Sequence, residues 1–180
     1  MIYTRTPIDT SLPVTLAEVK AHTRLDSAFE DSLQENFIRA VALEIEDLCG
    51  LALLATTIVT TSDACPGVAL ELPVGPVASN AAVTVVALAE DGTAAAVTAY
   101  WLEAGRYPVV HLTDTPDHRI RVTYVAALAS TAAALPADLR HAIADQVCRF
   151  DWQRGGVDDR GPAQSAHTAR VVARYRRPRL

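Results

Sequence analysis

The sequence predicts an α+β fold, in which a helical core of three main helices and a C-terminal tail carries an inserted small antiparallel β-sheet or sandwich. Apolar residues recur at helical spacing towards both ends of the 180-residue chain, whereas its middle holds short β-branched runs separated by turn residues. Half of the residues are hydrophobic, which argues against a disordered chain. The length suits one domain, or one domain with a small annex.

A capping box predicts the first helix. Thr15 and Glu18 have the Thr-x-x-Glu spacing, in which each side chain bonds a free backbone N–H at a helix start. We therefore expect a short helix over residues 15–24. The same spacing recurs at Ser27 and Glu30 and predicts the start of a second helix.

The second helix is long and amphipathic. It is predicted over residues 28–49, and Gly50 stands where a C-terminal glycine cap belongs. Acidic and polar residues fill the face opposite the apolar one. The apolar stripe consists of Leu33, Phe37, Ile38, Val41, Ile45 and Leu48.

The middle of the chain alternates between apolar and polar residues, as half-buried strands do. The sequence Glu90-Asp91-Gly92 predicts a hairpin turn. A sheet of five to seven short strands is expected. Its predicted strands are Thr56–Thr61, Val68–Leu72, Val83–Leu88, Tyr100–Glu103, Val109–Leu112 and Arg119–Val125.

A third helix is predicted over residues 136–152, because Pro136 suits a first helical turn and Asp138 lies near the positive end of a helix dipole. The polar stretch 157–169 resembles a linker, and an arginine-rich segment follows it. The resulting division is a helical part over residues 1–55, an inserted β part over 56–126, a third helix completing the helical part over 127–156, and a linker with a basic tail over 157–180.

The charge of the chain is unevenly distributed. Lysine and arginine total 16 against 21 acids, a net charge of −5. Six of the basic residues lie between Arg160 and Leu180, where there is no acid, so the preceding residues hold 10 basic residues against all 21 acids. An acidic body with a basic tail predicts that the two parts contact different partners.

Patterns that support chemistry are absent from the sequence. Cys49, Cys65 and Cys148 are widely spaced, the five histidines form no helical i, i+4 pair, and the glycines form no phosphate-binding loop. We expect no catalytic site, no cofactor and no metal site. Residues 1–10 contain no apolar run, so no signal peptide is expected, and no stretch is long enough for a membrane span.

Several motifs resemble the head–tail connector (adaptor) family of tailed phages and gene transfer agents. Residues Pro13–His22 read Pro-Val-Thr-Leu-Ala-Glu-Val-Lys-Ala-His, similar to the family's opening motif, and Glu30–Leu33 follows as its acidic turn. Cys49–Leu53 matches the end of the family's long helix without its arginine, and Arg121–Ala126 resembles its Val-x-Tyr-x-Ala-Gly strand without the glycine. The third helix from Leu135 to Ile143 and the tail from Tyr175 to Leu180 are also similar.

This resemblance implies a ring of twelve subunits that sits beneath the portal and extends the channel through which DNA leaves the particle. It implies three protein partners: the portal protein, the stopper (the next head-completion protein) and further copies of the chain. DNA would pass through the ring without sequence-specific binding, and no membrane would be involved. The protein would be made in the bacterial cytoplasm and would act in the neck of a phage or phage-like particle.

Two contact surfaces are predicted. Phe37, Ile38 and Val41 of the long helix are the expected subunit interface, because Ala40 and Ala42 beside them permit close approach. The basic tail is expected to be disordered in the free subunit and to order on an acidic portal surface. Its predicted portal-binding residues are Arg170, Arg174, Tyr175, Arg176, Arg177, Pro178, Arg179 and Leu180.

Two other functions are compatible with the sequence. The tail arginines could bind nucleic acid phosphates, with Tyr175 stacking on a base, which would make the protein a nucleic-acid-binding accessory protein. Salt dependence of DNA binding would separate this alternative from the connector hypothesis. An enzyme of an unrecognised type is the third possibility.

Overall fold

A computed structural model of the protein describes residues 1–24, 28–63, 69–113, 119–153 and 164–176. The strands within these ranges are β1 (Ile2–Pro7), β2 (Thr56–Ser62), β3 (Ala69–Glu71), β4 (Thr84–Leu88), β5 (Ala94–Ala96), β6 (Tyr100–Glu103), β7 (Val109–Leu112) and β8 (Arg119–Ala126). The α-helices are α1 (Leu16–Thr23), α2 (Asp31–Cys49), α3 (Ala137–Trp152) and α4 (Ala166–Tyr175), and a 3₁₀ turn spans Ala132–Ala134. The predicted α+β class, with a sheet inserted between helices, is confirmed.

The chain divides into two compact units. The β unit comprises Met1–Thr10 and Gly50–Ser130, and the helical unit comprises Ser11–Cys49 and Thr131–Leu180. This division differs from the predicted one at the start of the chain. Residues 1–10 belong to the β unit because β1 pairs with β2 along its whole length.

The two sheets of the β unit contribute to one hydrophobic core. The larger antiparallel sheet has the strand order β1-β2-β8-β4-β5, and the smaller has the order β3-β7-β6. Every second residue of strand β8 is buried, in agreement with the alternation of apolar and polar residues from which this strand was predicted. The core cluster draws on both sheets and includes Ile58, Leu70, Val110, Leu112, Ile120, Val122 and Tyr124.

The predicted strands of the middle region are confirmed to within about a residue where the structure describes them, and Val68 lies outside the described residues. Strand β5 was not predicted, because alanine has a low β-propensity and Ala94–Ala96 has no alternating pattern. It forms because the predicted turn at Glu90–Gly92 folds the chain back beside β4. Gly92 has a φ of +84°, a conformation that favours glycine.

The first predicted capping box is present at the start of α1. The Glu18 N–H donates to Thr15 Oγ1 at 3.2 Å, and the Thr15 N–H donates to Glu18 Oε2 at 2.9 Å. The second box cannot be compared, because Ser27 lies outside the described residues. Gly50 ends α2 with a φ of +65°, as its predicted role as a cap requires.

Helices α2 and α3 pack against each other through their apolar stripes. At one end, Gln34, which is only 1% exposed, donates from Nε2 to Asp151 Oδ1 at 2.9 Å. One turn further along α2, the rings of Phe37 and Phe150 meet edge to face with centroids 6.0 Å apart. The two helices are therefore held by both apolar and polar contacts.

The C-terminal region corrects the sequence prediction. Residues 157–169 were expected to be a linker and 170–180 to be disordered, but residues 166–175 form α4. Val171 and Val172 of α4 are buried. The prediction is wrong for residues 164–176, because the spacing of Thr168, Val171, Val172 and Tyr175 defines one apolar helix face among the arginines. Residues 177–180 lie outside the described residues.

Replacing Tyr124 by Phe should destabilise the β unit. The Tyr124 hydroxyl donates to Val74 O at 3.0 Å and accepts from the Val74 N–H at 3.3 Å, both in the buried core. Its loss leaves two buried backbone groups unpaired, which costs about 1–3 kcal/mol. Urea unfolding measures this change. Tyr3→Phe, at a residue 40% exposed, is the matched control and should change the free energy of unfolding little; equal effects would contradict the role of the Tyr124 hydroxyl.

Candidate assembly surfaces

Within the described ranges, the side chains able to act in catalysis or metal binding do not form a recognisable reaction centre. Among the described residues, no group of three or more His, Cys, Asp or Glu side chains is placed to hold a metal ion. Burial, followed by the charges of Asp145 and Asp151, raises the pKa of the Cys148 thiol. Cys148 is therefore more fully protonated at neutral pH than an ordinary cysteine, which makes it a poorer nucleophile.

The histidines that sequence reasoning treated as separate include three that meet in the helical unit. The rings of His22 and His141 are 5.2 Å apart, and those of His141 and His167 are 4.6 Å apart, both edge to face. His22 Nε2 lies 3.8 Å from Asp145 Oδ1. Edge-to-face packing is a favourable arrangement of aromatic rings, and it does not bring these histidines into any group that could hold a metal ion among the described residues. His22 and His141 also line a cleft of about 240 Å³.

Two of the three predicted interface residues on α2 are unavailable to a neighbouring subunit. Ile38 and Val41 are fully buried within the protein, where they pack in the helical unit. The expectation for these two residues is corrected: the apolar stripe of this amphipathic helix packs into the core of its own subunit. Phe37 is half-buried beside Phe150.

The outward face of α2 is instead formed by residues on the opposite side of the helix. Asn36, Ala40, Leu43 and Asp47 are all exposed and recur at intervals of three or four residues. Leu43 is the large apolar residue on this face and is 52% exposed. Between Arg39 and Gly50 the helix carries acids and no base, so this end of the face is acidic.

Helix α4 holds the described part of the predicted portal-binding segment. Arg174 Nη2 donates to Asp138 Oδ2 at 2.7 Å, and the Tyr175 hydroxyl donates to Asp138 Oδ1 at 3.2 Å. Asp138 thereby ties the end of α4 to the start of α3. Arg170 lies 3.2 Å from His167 Nδ1, and Arg170 and Arg176 are exposed.

Buried hydrogen bonds fix the start of α4 on α3. The Ser165 N–H donates to Gln146 Oε1 at 2.8 Å, and Thr168 Oγ1 donates to Ala142 O at 3.0 Å. Ser165 also caps the helix, since its hydroxyl accepts from the Thr168 N–H at 3.0 Å. The arginines of α4 are therefore presented from a defined position.

Two aromatic residues of the helical unit are almost fully exposed within the described structure. Phe29 is 94% exposed and Trp152 is 91% exposed. Sequence reasoning assigned neither residue to a contact, because a single aromatic residue at or near a helix end carries no pattern. Tryptophan is enriched where protein partners bind, so its exposure favours a protein contact near the end of α3.

No helix among the described residues has the length and hydropathy to cross a membrane.

Comparisons with known proteins find similarity only at the level of structure. No protein-family model and no curated protein sequence matches the chain. Among solved structures, a chain in the neck of an empty gene transfer agent (GTA) particle with C6 symmetry matches with a TM-score of 0.78 and 21% identity, covering 100% of this chain and 97% of that chain. A chain in the virion of a native GTA particle gives the same values. A chain in the neck of a native GTA particle with C12 symmetry matches at 0.77 and 20% identity, with the same coverage.

Replacing Gln146 by Ala should loosen α4. The buried Ser165 N–H then loses its acceptor, which costs about 1–3 kcal/mol and raises the hydrogen exchange of the α4 amides roughly ten-fold. Mass-spectrometric hydrogen exchange over residues 166–175 measures this effect. Gln153→Ala, at an exposed residue just beyond α3, is the control. Unchanged exchange in the Gln146 variant would show that the hydrogen bond from the Ser165 N–H to Gln146 does not hold α4.

Proposed function

We propose that the protein is a structural head–tail connector (adaptor) in the neck of a phage or phage-like particle. In this role it forms a ring beneath the portal, extends the DNA channel and docks the stopper. The observation that carries the proposal is the match of the whole chain, helices and inserted sheet together, to chains in GTA particles, two of them in necks. The motifs at Pro13–His22 and Leu135–Ile143 support the same role.

A ring of twelve copies is the proposed assembly. One of the similar chains belongs to a neck with C12 symmetry, and twelve is the number that the resemblance in sequence implies. The exposed side chains of Leu43 and Trp152 support an assembled state, because partners would cover apolar surface that a monomer leaves in water. Phe37 keeps its proposed place at the edge of a subunit contact.

The basic C-terminal segment is the proposed portal-binding element. Its arginines begin on α4, at Arg170 and Arg174, and continue after the helix with Arg176, Arg177 and Arg179. Because α4 is fixed on α3, the segment leaves the subunit from a defined point, which lowers the entropy lost on binding. Twelve such segments on one portal would add their weak contacts through avidity.

The proposed relation to DNA is passage without sequence-specific binding. The acidic body, with 21 acids in the chain, disfavours adhesion of the phosphate backbone to most of the surface. The basic row on α4 favours a second candidate, a nucleic-acid-binding accessory protein. Under the connector proposal the protein is not an enzyme and needs no cofactor.

Rings should appear on portals. When the purified protein is mixed with the portal protein of the same particle, electron microscopy should show an added ring with twelve-fold symmetry, and native mass should rise by twelve subunits. Portal alone is the control, and the free protein is expected to remain smaller than a ring. Portals that stay undecorated at micromolar protein would contradict the proposed function.

The C-terminal arginines should be required for this attachment. The double variant Arg177→Ser, Arg179→Ser should lose binding to DNA-free portals while the body and α4 stay folded, because both residues follow the helix. The matched control is Arg121→Ser, Arg149→Ser, which removes the same charge from exposed residues elsewhere. If the first variant still decorates empty portals and loses only salt-dependent DNA binding, the segment is a nucleic-acid element.

A further inference from the structure

The outer face of the three-stranded sheet of the β unit carries an exposed tryptophan. Leu70 and Val110 of this sheet are buried and belong to the core cluster, so their side chains face inwards. Successive side chains of a strand point to opposite faces. Trp101 and His111, which are cross-strand partners next to these inward positions, therefore lie on the outer face. Trp101 is 58% exposed, so the only tryptophan of the β unit faces solvent.

The contacts of Trp101 hold its ring in a defined orientation. The indole stacks on the imidazole of His111, with ring centroids 3.8 Å apart and an angle of 6° between the planes. His111 Nε2 lies 3.0 Å from Glu103 Oε2, so the carboxylate anchors the imidazole on which the indole rests. Because His111 covers one face of the indole, its solvent exposure falls on the opposite face and the ring edges. A ring that is already oriented loses little conformational entropy when a partner binds.

The surface around the indole is acidic. Glu71 and Glu103 flank Val109 from the two neighbouring strands, which places both carboxylates on the outer face with Trp101. Both glutamates are exposed. The strands Ala69–Glu71, Tyr100–Glu103 and Val109–Leu112 contain no lysine or arginine. Although Glu103 is bonded to His111, a carboxylate has two oxygens and can accept further hydrogen bonds.

We infer that the outer face at Trp101, His111 and Glu103 binds an arginine side chain of a partner protein. A guanidinium is planar, so it can stack on the open face of the indole while its N–H groups donate to the Glu103 carboxylate. A lysine ammonium is more strongly hydrated and has no flat face to stack. Tryptophan and arginine are both enriched among the residues that dominate the binding energy of protein interfaces. The acids disfavour a nucleic acid, because they repel its phosphates.

This site goes beyond the proposed connector function. It lies within the β unit and uses none of the C-terminal arginines that are the proposed portal-binding element. Its occupant is defined by chemistry, as a protein surface that presents an arginine. The site can therefore be tested without a portal, and its failure would leave the connector proposal standing.

Titration of the full-length protein with N-acetylarginine amide tests the site. The two indole N–H signals in NMR spectra belong to Trp101 and Trp152, and Trp152→Leu leaves only that of Trp101. The arginine compound should shift the Trp101 signal and should bind roughly five-fold or more tightly than N-acetylcitrulline amide, which has a similar shape without the charge. The signal of Trp152 is the internal control and should move less.

Two variants separate the contributions of the indole and the carboxylate. Trp101→Leu keeps an apolar side chain on the outer face, and the ring signals of His111 should then no longer respond to the arginine compound. Glu103→Gln keeps the shape of the side chain and should weaken arginine binding about five-fold, while citrulline binding stays unchanged. Glu90→Gln, at an exposed acid in the turn before β5, is the matched control. Thermal unfolding checks that each variant is folded.

Several results would overturn the inference. Equal affinity for the arginine and citrulline compounds would show that the surface does not recognise charge, and this comparison on the natural protein decides even if Glu103→Gln fails to fold. A Trp101 signal that responds to a short oligothymidylate and not to the arginine compound would identify a nucleic-acid surface instead. Sedimentation that shows self-association abolished by Trp101→Leu, with no response to the arginine compound, would identify a contact between copies.

Discussion

The buried hydrogen bond from the Ser165 N–H to Gln146 Oε1 decides where the basic end of the protein lies. Gln146 is 1% exposed, so its side-chain amide needs a hydrogen-bond partner. Leaving the buried Ser165 N–H unpaired would cost a similar amount of folding free energy. Together they seat the start of α4 on α3, and Asp138 holds its other end through Arg174 and Tyr175. The arginines of α4 thus lie on a structured surface, which gives the proposed portal contact a defined starting point.

The β unit depends on a comparable constraint. The Tyr124 hydroxyl bonds both the N–H and the C=O of Val74 within the core. The loop that contains Val74 therefore needs no water to satisfy these two backbone groups. The same loop carries the apolar residues Leu72, Val74 and Val77 into the cluster between the strands. Tyr124 therefore contributes to this core in two ways, because its ring packs against apolar residues and its hydroxyl bonds the loop.

Electrostatics connects the fold with the proposed role. The acidic body and basic C-terminal segment, which the charge distribution alone predicted, become two helix faces of one unit once α4 is packed. An acidic body disfavours retention of DNA, and a basic segment favours an acidic protein partner. The same charge pattern is therefore consistent with a subunit that binds its neighbours and lets DNA pass.

The sequence by itself determined the three main helices, most strands and the charge asymmetry, because local periodicity and capping need no distant partner. The tertiary structure alone decided the rest. Alanine-rich β5 exists only because β4 is beside it, and β1 only because β2 accepts it. Ile38 and Val41 were read as contact residues because periodicity marks a buried face without saying what buries it. The subunit's own core does so. Val171 and Val172 of α4 are buried for the same reason: contacts between residues far apart in the chain cover a helix face whose spacing the sequence already contained.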